Sequence, residues 1–98
     1  MDVRFSDELY DRLETDARFV AGFPGAIVSM YRKRLQQIRS ATDERDLYAL
    51  KSLRLEKLKG NRSHQHSMRL NDQWRLIIEI QGKSSEKIIH IIGIEDYH

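Results

Sequence analysis

The sequence predicts an α+β domain, with an N-terminal strand and a helical hairpin packed on one face of a mainly antiparallel twisted sheet. Apolar residues in the first half recur at helical spacing, and from Leu53 onward they recur at every second position. The links between the later runs are short and turn-forming, so those strands should pair with their sequence neighbours.

The opening "MDVRF" alternates Val3 and Phe5 with charged neighbours, as a short strand does. Ser6 then reads as an N-cap, with Asp7 and Glu8 in the first turn, where the helix dipole favours negative charge. Leu9, Leu13 and Ala17 give that helix one apolar stripe, and "AGFPG" marks its end. Pro24 fits the first turn of a second helix, where its missing N–H is not needed. Val28, Tyr31, Leu35 and Ile38 form the strongest helical period of the chain, with Arg32, Lys33, Arg34 and Gln37 on the opposite side. "SATDERDLYAL" adds a short helical turn capped by Thr42.

The period then changes to two. "LRLEKL" puts Leu53 and Leu55 on one face and Arg54 and Glu56 on the other. "HQHSMRL" sets Met68 and Leu70 against Ser67 and Arg69, and "WRLIIEI" turns Trp74, Leu76, Ile78 and Ile80 inward and Arg75 and Glu79 outward. "KIIHIIGIE" is apolar at both alternations, as a strand covered on both faces would be. With "NDQ" and "QGKSS" as turns, these four strands form an antiparallel meander.

At 98 residues the chain is expected to be a single domain, 1–98, with one modest core. The absence of cysteine excludes a disulfide framework and a thiolate metal site, and is compatible with a reducing cytosol. No apolar run is long enough to span a bilayer, and the acidic start lacks the features of a signal peptide. A soluble, cytoplasmic protein with no membrane partner is the expectation.

The net charge of +2 hides a segregated distribution. Residues 51–75 carry Lys51, Arg54, Lys57, Lys59, Arg62, Arg69 and Arg75 against Glu56 and Asp72, a balance of 7 − 2 = +5. Such a block fits a polyanion such as nucleic acid, and equally a solvated edge that discourages sheet aggregation. If Arg54, Arg69 and Arg75 all alternate away from the apolar faces, they share the open side of the sheet as a cationic, concave surface. Arg69 would there bind phosphate or pair with Glu79.

No Gly-rich phosphate loop, zinc spacing or nucleophile elbow is present. His64 and His66 are two apart, a candidate metal pair on a strand, but without a third ligand they read more readily as loop polars. The terminal "IEDYH" sets a carboxylate, a phenol and an imidazole side by side, either a ragged end or a site for proton transfer.

The stretch "LKGNRSHQHSMRLNDQWR" and the terminal "IEDYH", in that order and separation, resemble the HigB-type toxins of the RelE/ParE superfamily of bacterial type II toxin–antitoxin pairs. The resemblance implies a RelE-like fold and a ribosome-dependent mRNA endonuclease that needs no cofactor and no metal. It implies a site of Lys59, Arg75, Asp96, Tyr97 and His98. In metal-free cleavage the RNA 2′-hydroxyl attacks the adjacent phosphorus, so the enzyme moves protons and stabilises charge on phosphate. His98 is the candidate for proton transfer, with Asp96 holding its imidazole or adding polar contacts; Lys59 and Arg75 would meet the phosphate charge, and Tyr97 would stack on a base or donate a hydrogen bond.

Some relatives carry a histidine three residues before the loop lysine, where this chain has Glu56. Glu56 therefore joins the candidate catalytic residues. Arg54, Lys57, Arg62 and Arg69 are the candidate RNA-binding cations. The partners implied are the ribosome with its mRNA and a helix-turn-helix antitoxin (HigA-like) through which operator DNA is bound. Two other functions fit the same residues: a ParE-like inhibitor of DNA gyrase, and an RNA-binding module that does not cleave.

Overall fold

The computed structural model describes residues 1–83 and 86–96, so Tyr97 and His98, and Ser84 and Ser85 of the "QGKSS" link, lie outside the described residues. The strands are β1 (Asp2–Phe5), β2 (Glu56–Lys57), β3 (His66–Arg69), β4 (Trp74–Gln81) and β5 (Ile88–Asp96). They form one sheet in the order β1-β5-β4-β3-β2. β2 to β5 make the expected antiparallel meander, and β1 runs parallel beside β5, pairing Val3 with Ile89 and Phe5 with Ile91. The helices are α1 (Glu8–Thr15), α2 (Gly25–Ser40) and α3 (Glu44–Ala49).

The helices cover one face. Leu13 of α1, Ile27, Val28, Tyr31, Leu35 and Ile38 of α2, and Leu47 of α3 pack on Met68, Leu76, Ile78, Ile89, Ile91 and Ile94 of the sheet. Leu76 and Ile78 of β4 are fully buried as expected, with Trp74 edge-on to Phe23 at 5.9 Å, but Ile77 between them is buried too. β5 has a different reason for its apolar run. A bulge opposite Ile77/Ile78 leaves Ile92 out of the register, so Ile91 and Ile94 both reach the core while Ile88 and Ile92 stay half-buried. Its second face is therefore not fully covered.

The caps differ by one residue from the spacing argument. Asp7, not Ser6, caps α1 by accepting from the Leu9 N–H at 2.9 Å, while the Ser6 hydroxyl donates across to the Ile92 carbonyl. Asp43, not Thr42, caps α3 in a reciprocal box with Asp46. α1 stops at Thr15, which leaves Ala17 outside the helix and exposed. Pro24 stands just before the helical residues of α2.

Two arginines expected on the solvent side of α2 are structural. Arg32 donates to the carbonyls of Leu13, Asp16 and Phe19, satisfying acceptors at the C-terminal end of α1 and just beyond it. Arg34 is only 3 % exposed and donates to the Arg69 carbonyl, the Gln37 side chain and the Ser52 carbonyl. It ties α2 to the end of β3.

The "LRLEKL" stretch is not a six-residue strand. Lys51–Leu53 form a 3₁₀ turn, Arg54 adopts a left-handed conformation at φ 45°, and only Glu56–Lys57 pair with β3. Leu53 and Leu55 are still buried, because the turn folds both into the core rather than because a strand alternates. At the β4–β5 connection Gly82 has φ 95°, and a Cβ there would sit 2.6 Å from the Glu86 carbonyl oxygen, so only glycine fits.

Candidate functional site

The sheet face opposite the helices carries the basic segment. The register places Glu56 beside Ser67, Ser67 beside Ile77, and Arg69 beside Arg75, which in turn faces Glu95. Alternation sends Glu56, Ser67, Arg75 and Glu95 to this outer face, since Met68 and Leu76 between them are core. Ser67 and Ile77 are buried even so.

Arg75 is the centre of this face. Its Nη2 donates to the Ser67 hydroxyl at 2.8 Å and to the Arg54 carbonyl at 2.9 Å, so the guanidinium is held half-buried across β3. The left-handed turn at Arg54 presents that carbonyl. A non-glycine residue in this conformation costs on the order of 1 kcal/mol, and here the strained residue contacts the central cation. Glu56 is exposed on β2, one strand over from Ser67.

Lys59 lies two residues beyond the end of β2 and immediately before the 3₁₀ turn Gly60–Arg62, exposed. Lys57 is exposed on β2 opposite His66. Arg62 reaches over the sheet to Glu95 in a two-point contact at 2.7 and 3.1 Å. Arg69 pairs with Asp72 at 2.6 Å, not with Glu79, and this bond holds the Asp72 carboxyl below the usual carboxylate range. Glu79 instead accepts from Gln65 and Gln81 and faces His64 at 3.8 Å.

The outer face is thus not uniformly cationic. Its β4–β5 side is neutralised by Glu95 and Glu79, and its positive charge concentrates toward β2 and β3, at Arg54, Lys59 and Arg75, while Lys57 alternates to the helix side with His66.

The structure divides the expected site residues. Arg75, Arg54 and Glu56 lie on or beside the outer face, with Lys59 along its edge, whereas Lys57 alternates to the helix side with His66. Asp96 pairs in register with Trp74 and alternates toward the helix side of the rim, where its Oδ2 accepts from Gln73 at 3.1 Å. Tyr97 and His98 follow it outside the described residues. His66 turns to the helix side against the Tyr48 ring at 6.4 Å, so His64 and His66 do not share a face as a ligand pair. Burial, with Lys57 nearby, pushes the His66 imidazole pKa down, and its Nδ1 is buried without a hydrogen-bond partner among the described residues. No group of three or more His, Cys, Asp or Glu able to hold a metal occurs among the described residues.

Ser67, Glu95 and Gln73 hold site residues in place without standing out in the sequence. Ser67 had a signal, since alternation already puts it on the face of Arg69 and Arg75. The partnerships of Glu95 and Gln73 depend on register and had none. A larger groove of about 540 Å³ lies elsewhere, between α2 and α3, lined by Gln37, Ala41, Ala49 and Leu50 among others.

Residues 3–94 match the family model described as the RelE-like toxin of type II toxin–antitoxin system HigB. Among solved structures, the YoeB/ParE toxin from Agrobacterium tumefaciens is similar in fold, with a TM-score of 0.60 over 100 % of both chains at 18 % identity. No curated protein matches the sequence.

Proposed function

The chain belongs to the HigB-like, RelE-like toxins of type II toxin–antitoxin systems, and from that membership we propose that it is a ribosome-dependent mRNA endonuclease. The reaction is attack of the RNA 2′-oxygen on the adjacent phosphorus. The 2′-O–P bond forms, the P–O5′ bond breaks, the 2′-hydroxyl gives up its proton and the O5′ leaving group gains one. No cofactor enters these steps.

The observation that carries this reading is the posture of Arg75. A guanidinium pinned by Ser67 and the Arg54 carbonyl, in the most basic stretch of the chain, is prearranged to meet charge developing on a phosphate. Lys59 adds a second cation from the edge. In this reading His98 transfers the proton, Asp96 holds its imidazole by hydrogen bonding or adds polar contacts at the site, and Tyr97 stacks on a base or donates a hydrogen bond. Glu56, exposed on the face of Ser67 and Arg75, takes the second proton-transfer role where some relatives carry histidine. Arg54, Lys57, Arg62 and Arg69 bind the RNA backbone.

As a toxin of a type II system, the protein has an antitoxin partner. We propose a helix-turn-helix antitoxin that carries the operator contacts. Co-expression with it should restore growth.

The test of the chemistry is an mRNA bearing a 2′-O-methyl group at the mapped cut on programmed ribosomes. Cleavage there should disappear while neighbouring cuts persist. Cleavage that continues at the methylated position would contradict 2′-hydroxyl attack.

A further inference from the structure

We propose that the cavity between α2 and the end of β3 is a second phosphate subsite, taking a backbone phosphate of the RNA strand that flanks the cut. It rests on the RNA-directed function proposed above and adds Lys33 and Arg34, which neither the motif nor the outer face includes. The cavity has a volume of about 350 Å³ and is lined by Lys33, Arg34, Arg54 and Arg69, with Ser52 and Asp72 among its other residues. That volume is roughly ten times the share of one water in the liquid, so it admits a phosphate with part of its hydration.

The charge of the lining is unbalanced. Four cations face one carboxylate, and that carboxylate, Asp72, is 99 % exposed and bound to Arg69 alone among the described residues. Arg34 is the buried member, 3 % exposed, and all three of its bonds go to neutral acceptors. Neither Lys33 nor Arg54 forms a close ion pair among the described residues, although Arg54 joins Arg69 in holding the Asp72 carboxyl low. A buried guanidinium satisfied in hydrogen bonds but not in charge, ringed by further cations, stabilises an anion brought beside it. Burial, then Arg69, pushes the Arg34 pKa down, and a phosphate in the cavity would oppose the shift.

Its position selects RNA over an acidic protein segment. The Arg54 carbonyl that accepts from Arg75 belongs to the residue whose side chain lines this cavity, so the cavity adjoins the central cation of the outer face. A strand whose scissile phosphate meets Arg75 continues past β3 toward Lys33 and Arg69. Asp72 occupies Arg69 until a phosphate displaces it.

The test is binding of a labelled, 2′-O-methylated single-stranded RNA by the full chain, followed by fluorescence anisotropy across a salt series. Removing one phosphate-contacting cation should lower the slope of log K against log salt by about 0.7. Lys33→Gln should show this change, and so should Arg54→Gly, where glycine accepts the left-handed backbone and the fold is kept. Asp72→Asn should bind more tightly than wild type, because it releases Arg69. Thermal melting of each variant reports that it is folded.

Wild-type slopes in both Lys33→Gln and Arg54→Gly would overturn the subsite, as would failure of the wild type to bind at low salt. So would a Lys33→Gln variant that binds RNA normally but loses its antitoxin, which would assign the cavity to an acidic protein segment. Because the RNA cannot be cut, pocket-dependent binding by a protein that cleaves nothing on ribosomes keeps the subsite and removes the endonuclease reading. Cleavage by a wild type whose slope ignores these substitutions does the reverse.

Discussion

Tyr31→Phe isolates a single buried hydroxyl that links the helices to the strand carrying the site. Tyr31 is 0 % exposed, and its hydroxyl donates to the Tyr10 carbonyl at 2.8 Å; the Tyr10 hydroxyl in turn accepts from the Ile94 N–H at 3.3 Å. Phenylalanine fills the same ring volume, so no cavity term enters. The variant loses one buried hydrogen bond and leaves the Tyr10 carbonyl short of a donor, together about 1–2 kcal/mol. For a domain of this size the melting temperature should fall by roughly 4–16 °C. A second readout lies at high pH. Burial, reinforced by Glu14, pushes the Tyr31 phenol well above its ordinary value, so the unfolded chain releases this proton first. The stability it supports is fully present below about pH 10 and lost as pH rises beyond, at about 1.4 kcal/mol per pH unit from this group. The assay is thermal and urea unfolding of both proteins across the alkaline range. A variant that melts within about 2 °C of wild type, with an identical alkaline decline, would refute the reasoning.

Three further outcomes are expected. The Arg62–Glu95 pair has side-chain exposures of 41 % and 40 %, so solvent screening limits the coupling in a double-alanine cycle, measured by urea unfolding, to about 0.5–1 kcal/mol. That coupling should shrink as salt is added. His66 has its pKa lowered by burial first and by Lys57 second, so the unfolded chain takes up this proton before the folded one does. Stability from His66 is therefore present above about pH 6.5 and lost as pH falls below it. A His66→Phe variant should lose less melting temperature than wild type between about pH 7 and pH 5. Gly82→Ala should destabilise, since its Cβ would lie 2.6 Å from the Glu86 carbonyl oxygen at a positive φ, and urea unfolding would show it.

The sequence was most legible where one local pattern decided the structure. Trp74, Leu76, Ile78 and Ile80 share the helix-covered face of one long strand, and the meander follows from its short turns. Leu53 and Leu55 misled because a spacing of two also arises when a 3₁₀ turn leads into a left-handed residue and both leucines fold into the core. Arg34 misled because charge stands for exposure in any helical wheel, whereas three neutral acceptors brought together by the fold make its burial tolerable. The parallel pairing of β1 with β5 joins the two ends of the sequence and leaves no local signal. For the candidate site, motif resemblance singled out Lys59 and Arg75. The contacts that hold Arg75, the two-point bond from Arg62 to Glu95 and the Gln73 contact to Asp96 needed the register and the turn at Arg54.

The most direct measurement is primer extension on a defined mRNA carried by programmed ribosomes, with wild type beside Arg75→Gln and His98→Ala. Wild-type cuts are expected in the coding region, falling on the order of 10²- to 10³-fold in Arg75→Gln, as when a single charge-stabilising donor is removed. They should be lost in His98→Ala. Undiminished cuts in Arg75→Gln would contradict the role given to the cation at the centre of the face, and intact mRNA with folded wild-type protein would contradict the endonuclease itself.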